Sequence, residues 1–126
     1  MKVMLFVAVG GALGALARYG VGLAAAGAWG ERFPWGTLVV NLAGCLALGV
    51  IIEAQAHTRG MSDEMRLMLT TGFLGALTTF STFGVETVQL VEREGVGLAL
   101  GNIGANVLVG LAAAWIGVVL ARTVWG

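Results

Sequence analysis

Four long apolar runs, separated by short polar stretches, set the pattern of this chain. They cover about residues 3–27, 36–54, 65–91 and 96–120, each close to or above the roughly 20 residues a helix needs to cross bilayer hydrocarbon. The connections are polar: Glu31 and Arg32 in the first, Arg59, Asp63 and Glu64 in the second, Glu92, Arg93 and Glu94 in the third. Trp29 and Trp35 flank the first connection and Trp125 lies near the end, as expected of aromatic side chains at a membrane–water boundary. The pattern predicts an all-α membrane protein, a single transmembrane domain over residues 1–126, with no soluble domain. A cleaved leader is the competing reading of the first run, because Lys2 precedes it and Ala24 to Ala26 is rich in small residues. Arg18 interrupts the apolar core that such a leader requires.

Composition sharpens this. The chain is 58% hydrophobic and 11% charged, against about 25% charged in soluble domains. It holds 21 Gly and 1 Pro, which suits helices whose backbones approach closely. Gly10, Gly11, Gly14, Ala15 and Ala17 form such a face on the first span. Asn102, Asn106, Gly110, Ala113 and Gly117 recur at helical spacing along the fourth. Zero net charge points to no nucleic-acid partner. Cys45 is alone, which allows no intrachain disulfide. With His57 solitary and no nucleophile–base pair, phosphate loop or metal-ligand spacing, the sequence does not read as an enzyme.

The third run departs from a plain membrane helix. From Thr70 to Phe83 it reads Thr-Thr-Gly-Phe-Leu-Gly-Ala-Leu-Thr-Thr-Phe-Ser-Thr-Phe. Gly weakens a helix interior, and Thr and Ser hydroxyls compete for backbone hydrogen bonds. The helix is therefore expected to unwind near Gly75 to Thr79. Irregular backbone at membrane depth belongs where it is buried in protein or lines a wet cavity, which is where transporters and channels place ions.

Several other residues are candidates. Thr37 and Asn41 share one face of the second span. Asn41, Asn102 and Asn106 each carry two amide donors into an apolar span. Their simplest role is interhelical hydrogen bonding, worth about 0.6 kcal/mol each; their functional role is donation to an anion. Phe80 and Phe83 share a face just after the expected break. Their rings either pack or turn positive edges toward an anion, with Ser81 and Thr82 supplying hydroxyls between them. Arg18 and Glu86 are charges within apolar spans, which face a cavity or partner unless they reach an interface. With the N-terminus inside, Lys2, Arg59, Arg66 and Arg122 are cytoplasmic against Arg32 and Arg93 outside, a weak bias that permits both orientations. Four helices are also few to enclose a pore, so the expected assembly is a homodimer.

From Gly72 to Phe83 the sequence resembles the Fluc/CrcB family of fluoride channels. The other matching features, in order, are Gly10-Gly11-x-x-Gly14-x-x-x-Arg18-Tyr19, Gly36-Thr37-x-x-x-Asn41-x-x-Gly44, and Asn106. The resemblance implies an antiparallel, dual-topology homodimer in the cell membrane that exports fluoride passively and so lowers its cytoplasmic level. It places the pore Asn on Asn41, the pore Phe pair on Phe80 and Phe83, and the polar track on Ser81 and Thr82. It implies a structural sodium ion held by backbone carbonyls of Gly75 and Thr78. Leu74, Ala76 and Asn102 depart from residues common in that family. The alternatives are a small dual-topology drug/proton antiporter and a non-transporting membrane scaffold subunit. The first needs an embedded carboxylate, where the first span offers Arg18; the second has no use for a weakened helix.

Overall fold

The computed structural model describes residues 1–58 and 60–126; Arg59, counted above among the cytoplasmic charges, lies outside the described residues. The described residues are helical almost throughout. Among the described residues, four helices are long and apolar enough to cross a membrane: Lys2–Trp29, Trp35–His57, Asp63–Glu94 and Val96–Trp125. Each runs beyond the apolar stretch that marks it, since charged end residues such as Lys2, Asp63 and Glu94 continue the helix outside the hydrocarbon. Ser62 caps the third span, its Oγ accepting from Met65 N at 3.3 Å.

Glycine sets the helix spacing. The first helix lies along Met68–Leu74, and the second along Gly110–Trp125. A Cβ on Gly10 would run into Met68 O, and one on Gly14 into Phe73 O. Likewise a Cβ on Gly49 would meet Ala114 O, and one on Gly117 would meet Leu46 O. Backbone thus touches backbone in both pairs, the contact that small residues permit in a membrane. On the fourth span Asn102, Gly110 and Gly117 are buried, whereas Leu100, Ile103, Val107 and Leu111 are exposed, so the small and polar face turns inward.

The third span is not uniform. It comprises a helix Asp63–Leu67, a π-helical stretch Met68–Leu74, a helical turn Gly75–Leu77 and a helix Phe80–Glu94. Between the last two, Thr78 (φ −81°, ψ 154°) and Thr79 (φ −154°, ψ 119°) are extended. The irregularity is narrower than the expected Gly75 to Thr79, for Gly75 itself is helical at φ −63°, ψ −33°. The hydroxyls rather than the glycine mark the place. Thr78 Oγ1 donates back to Leu74 O at 2.9 Å, closing the turn behind it. Thr79 Oγ1 accepts from Thr82 N at 3.2 Å and caps the helix ahead. A second π-helical stretch, Ala105–Val109, lies in the fourth span and carries Asn106. π turns inside α-helices occur often at functional sites.

Candidate functional site

Asn41 joins the second helix to the extended pair. Its Oδ1 accepts from Thr79 N at 2.8 Å, and its Nδ2 donates to Thr79 O at 3.2 Å. One amide side chain thereby satisfies both backbone groups of Thr79, as a neighbouring peptide would. Nδ2 also donates to Asn106 Oδ1 at 2.9 Å. From Asn106 the bonding continues along the fourth span: its Nδ2 donates to Asn102 O at 3.0 Å and to Asn102 Oδ1 at 2.9 Å. Asn102 Nδ2 donates to Thr87 Oγ1 at 2.9 Å, and Thr87 Oγ1 donates to Phe83 O at 2.7 Å. The three asparagines thus form one polar chain that leaves the third span at Thr79 and rejoins it at Thr87. Asn102 has 0% of its surface exposed, so its donors and acceptors depend wholly on this chain.

A pocket of about 320 Å³ opens beside it. Asn41, Asn106, Phe80 and Phe83 line it together with Gly75, Thr78, Thr79 and Cys45. The two Phe rings are tilted at 53° with centroids 5.6 Å apart. Phe83 is buried at 7% exposure while Phe80 stands out at 82%. Ser81 and Thr82 are exposed on the same turn, and Thr82 Oγ1 accepts from Thr79 Oγ1 at 2.9 Å.

Two carbonyls at this point have lost their helical donors. In an unbroken α-helix Gly75 O would accept from Thr79 N, and Thr78 O from Thr82 N. Thr79 N donates to Asn41 instead, and Thr82 N to Thr79 Oγ1.

Thr37 takes a different direction from Asn41, although one helical turn separates them. Its Oγ1 donates to Glu86 Oε1 at 2.9 Å. Both line a second pocket, of about 330 Å³, at the end of the bundle where Arg32, Trp35, Arg93 and Glu94 gather. Glu86 Oε2 is buried with no partner among the described residues. Arg32 Nε donates to Glu94 Oε2 at 2.9 Å across the mouth of this pocket. Arg18 is half-buried on the first helix, and Glu86 is bonded to Thr37 rather than to it.

The structure therefore gathers Asn41, Asn106, Asn102, Phe80 and Phe83 around the extended pair, and sets Thr37 and Glu86 apart at one end. Sequence reasoning did not single out Thr79 as a hinge between helices, nor Thr87. The available signal for Thr87 was its place four residues after Phe83, where a hydroxyl reaches back to a helical carbonyl.

The sequence profile of the family described as "CrcB-like protein, Camphor Resistance (CrcB)" matches residues 5–118. The chain belongs to the CrcB-like family. It is 44% identical over 119 residues to the "Fluoride-specific ion channel FluC" of Agrobacterium fabrum, covering 94% of this chain and 95% of that protein. It is 46% identical over 125 residues to the protein of the same name from Geobacter sulfurreducens, covering 97% and 98%. The protein of that name from Hydrogenovibrio crunogenus is 46% identical over 115 residues, or 91% of this chain and 87% of the relative. With four membrane-length helices, this member of the CrcB-like family is a multi-pass membrane protein of the cell membrane.

Proposed function

We infer that this chain is a fluoride-specific channel, working as an antiparallel homodimer that lets fluoride leave the cell down its gradient. The observation that carries the reading is near full-length likeness to relatives named as fluoride-specific channels. The polar chain and pocket at the centre of an otherwise apolar bundle give that likeness a chemical basis. Amide and hydroxyl donors without a full positive charge bind an anion weakly enough to release it. The proposed path runs past Asn41, Asn106, Phe80, Phe83, Ser81 and Thr82, with Asn102 behind it and Thr37 at its mouth beside Glu86.

The dimer rests on exposure. Ser81, Thr82 and Phe80 are exposed near the middle of a membrane span. Hydroxyls at that depth need protein or water around them, and a second copy supplies the missing wall. An antiparallel pairing suits the weak charge bias between the two ends. Labelling a cysteine introduced near either terminus from one side of the membrane should then modify about half of the copies; modification of all or none would leave a parallel or monomeric protein.

The direct test is efflux from proteoliposomes loaded with fluoride or chloride. Rapid fluoride release with chloride retained is expected, and equal release or none would end the reading. The aromatic pair offers a finer one. Leu retains the apolar bulk of Phe but has no positive ring edge, whereas Tyr keeps the ring. Phe83→Leu is expected to lower fluoride flux about fivefold more than Phe83→Tyr, the factor that corresponds to loss of one edge contact of about 1 kcal/mol. Equal losses would leave the rings a packing role.

Sodium is the proposed structural cofactor, held by the carbonyls of Gly75 and Thr78. Those oxygens have lost their helical donors, and both residues line the central pocket. Two copies of this point meeting across a two-fold axis would present four oxygens, the ligand type hard cations take. The ion would supply a fixed positive charge that offsets those carbonyl dipoles and ties the subunits together.

A further inference from the structure

We propose that Asn102 is a positioning residue, which fixes the direction of the Asn106 amide and so keeps an acceptor against the Asn41 donor at the fluoride path; this rests on the channel reading above. An Asn side chain presents an acceptor on one side and donors on the other, and a half-turn of its amide exchanges them. Which way each of the three amides faces is decided by groups whose roles cannot reverse. Phe83 O only accepts, so the Thr87 hydroxyl donates to it at 2.7 Å. The same hydroxyl then has a lone pair for Asn102 Nδ2 at 2.9 Å. With Nδ2 committed there, Asn102 turns Oδ1 toward Asn106, whose Nδ2 donates to it at 2.9 Å and to the main-chain Asn102 O at 3.0 Å. Asn106 accordingly turns Oδ1 toward Asn41 Nδ2 at 2.9 Å. Asn41 Oδ1 is left for Thr79 N, which only donates, at 2.8 Å. Fixed groups at both ends, Phe83 O and Thr79 N, agree on one direction for the whole chain.

The consequence concerns what an anion meets. Asn41 and Asn106 both line the central pocket. In the observed direction the Nδ2 donor of Asn41 faces Asn106 Oδ1, a neutral acceptor that fluoride outcompetes. If Asn106 turned over, it would face Asn41 donor to donor. Asn41 cannot turn in response, because Thr79 N and Thr79 O hold both ends of its amide, so the two amides would be pushed apart and the donors lining the pocket displaced. Asn102 prevents this by accepting twice from Asn106, and Thr87 holds Asn102. Since Asn102 is wholly buried, it acts on the ion only through its neighbours.

The experiment measures fluoride efflux per folded channel, and the fluoride concentration giving half-maximal flux, for wild type, Thr87→Val, Thr87→Ser and Asn102→Leu. Val keeps the shape of Thr and removes the hydroxyl; Ser keeps the hydroxyl. Thr87→Val is expected to lower flux about tenfold and raise the half-maximal concentration, since one misdirected hydrogen bond is of that order. Thr87→Ser should restore both to within about twofold of wild type, inside the spread of single hydrogen-bond effects. Asn102→Leu should match or exceed the loss in Thr87→Val; if it does not fold, the Thr87 pair decides alone. Thr87→Val channels that fold and conduct with wild-type flux and half-maximal concentration would overturn the positioning role. Equal losses in Thr87→Val and Thr87→Ser would overturn it too. Absence of fluoride flux in wild type would instead overturn the channel reading.

Discussion

Asn41→Asp is expected to reduce fluoride flux about 100-fold, the largest effect of any side-chain substitution in the polar chain, equivalent to about 2.7 kcal/mol. The change is nearly isosteric, so its effect is chemical. Asn41 Nδ2 donates to Thr79 O and Asn106 Oδ1; a carboxylate has no donor for either. Two acceptors would lose their partner and face a third, at a cost of roughly 1–3 kcal/mol each. A negative charge would also stand where an anion must pass. Stability should fall along with flux, so efflux must be normalised to folded protein recovered in vesicles. Fluoride efflux at the wild-type rate in that variant would remove Asn41 from the path.

The general architecture was legible because membrane helices announce themselves by length and apolar content. The inward face of the fourth span was legible too, since Asn102, Asn106, Gly110 and Gly117 keep helical spacing through an apolar run. Periodicity did less well where helical regularity fails. It put Thr37 and Asn41 on one face, yet Thr37 bonds Glu86 in the end pocket and Asn41 bonds Thr79 in the central one. One turn of rise separates their tips, and each meets a different stretch of the third span. Glycine content suggested unwinding from Gly75, but Gly75 is helical, in a turn that both Thr78 N and the Thr78 hydroxyl close on Leu74 O. The π-helical stretches Met68–Leu74 and Ala105–Val109 have no residue signature, since they depend on register against neighbouring helices. Thr87 escaped notice because a lone hydroxyl in a helix ordinarily bonds its own backbone; it does so here, and its remaining lone pair is what Asn102 uses.

Replacing sodium completely by a bulky organic cation is expected to lower fluoride flux and loosen the dimer together, and Thr79→Pro is expected to do so even with sodium present. The proposed ligands are main-chain oxygens, so backbone geometry matters and side-chain chemistry at Thr78 does not. Thr79 has φ −154°, far from the −65° that a proline ring imposes. Proline would also delete the N–H that Asn41 Oδ1 accepts at 2.8 Å. Both effects move the carbonyls on either side, and flux per folded channel is expected to fall about 100-fold, equivalent to about 2.7 kcal/mol. Thr78→Val is the control. It keeps the methyl group that packs against Gly44 and gives up only the hydroxyl bond to Leu74 O at 2.9 Å. With the carbonyls in place it should conduct within about threefold of wild type, as expected for one lost hydrogen bond of modest net value. Two outcomes would reject a cation held by main-chain oxygens. One is unchanged flux and dimer stability after exhaustive sodium exchange; the other is Thr78→Val losing sodium dependence as completely as Thr79→Pro, which would place a side-chain ligand where main-chain oxygens are proposed.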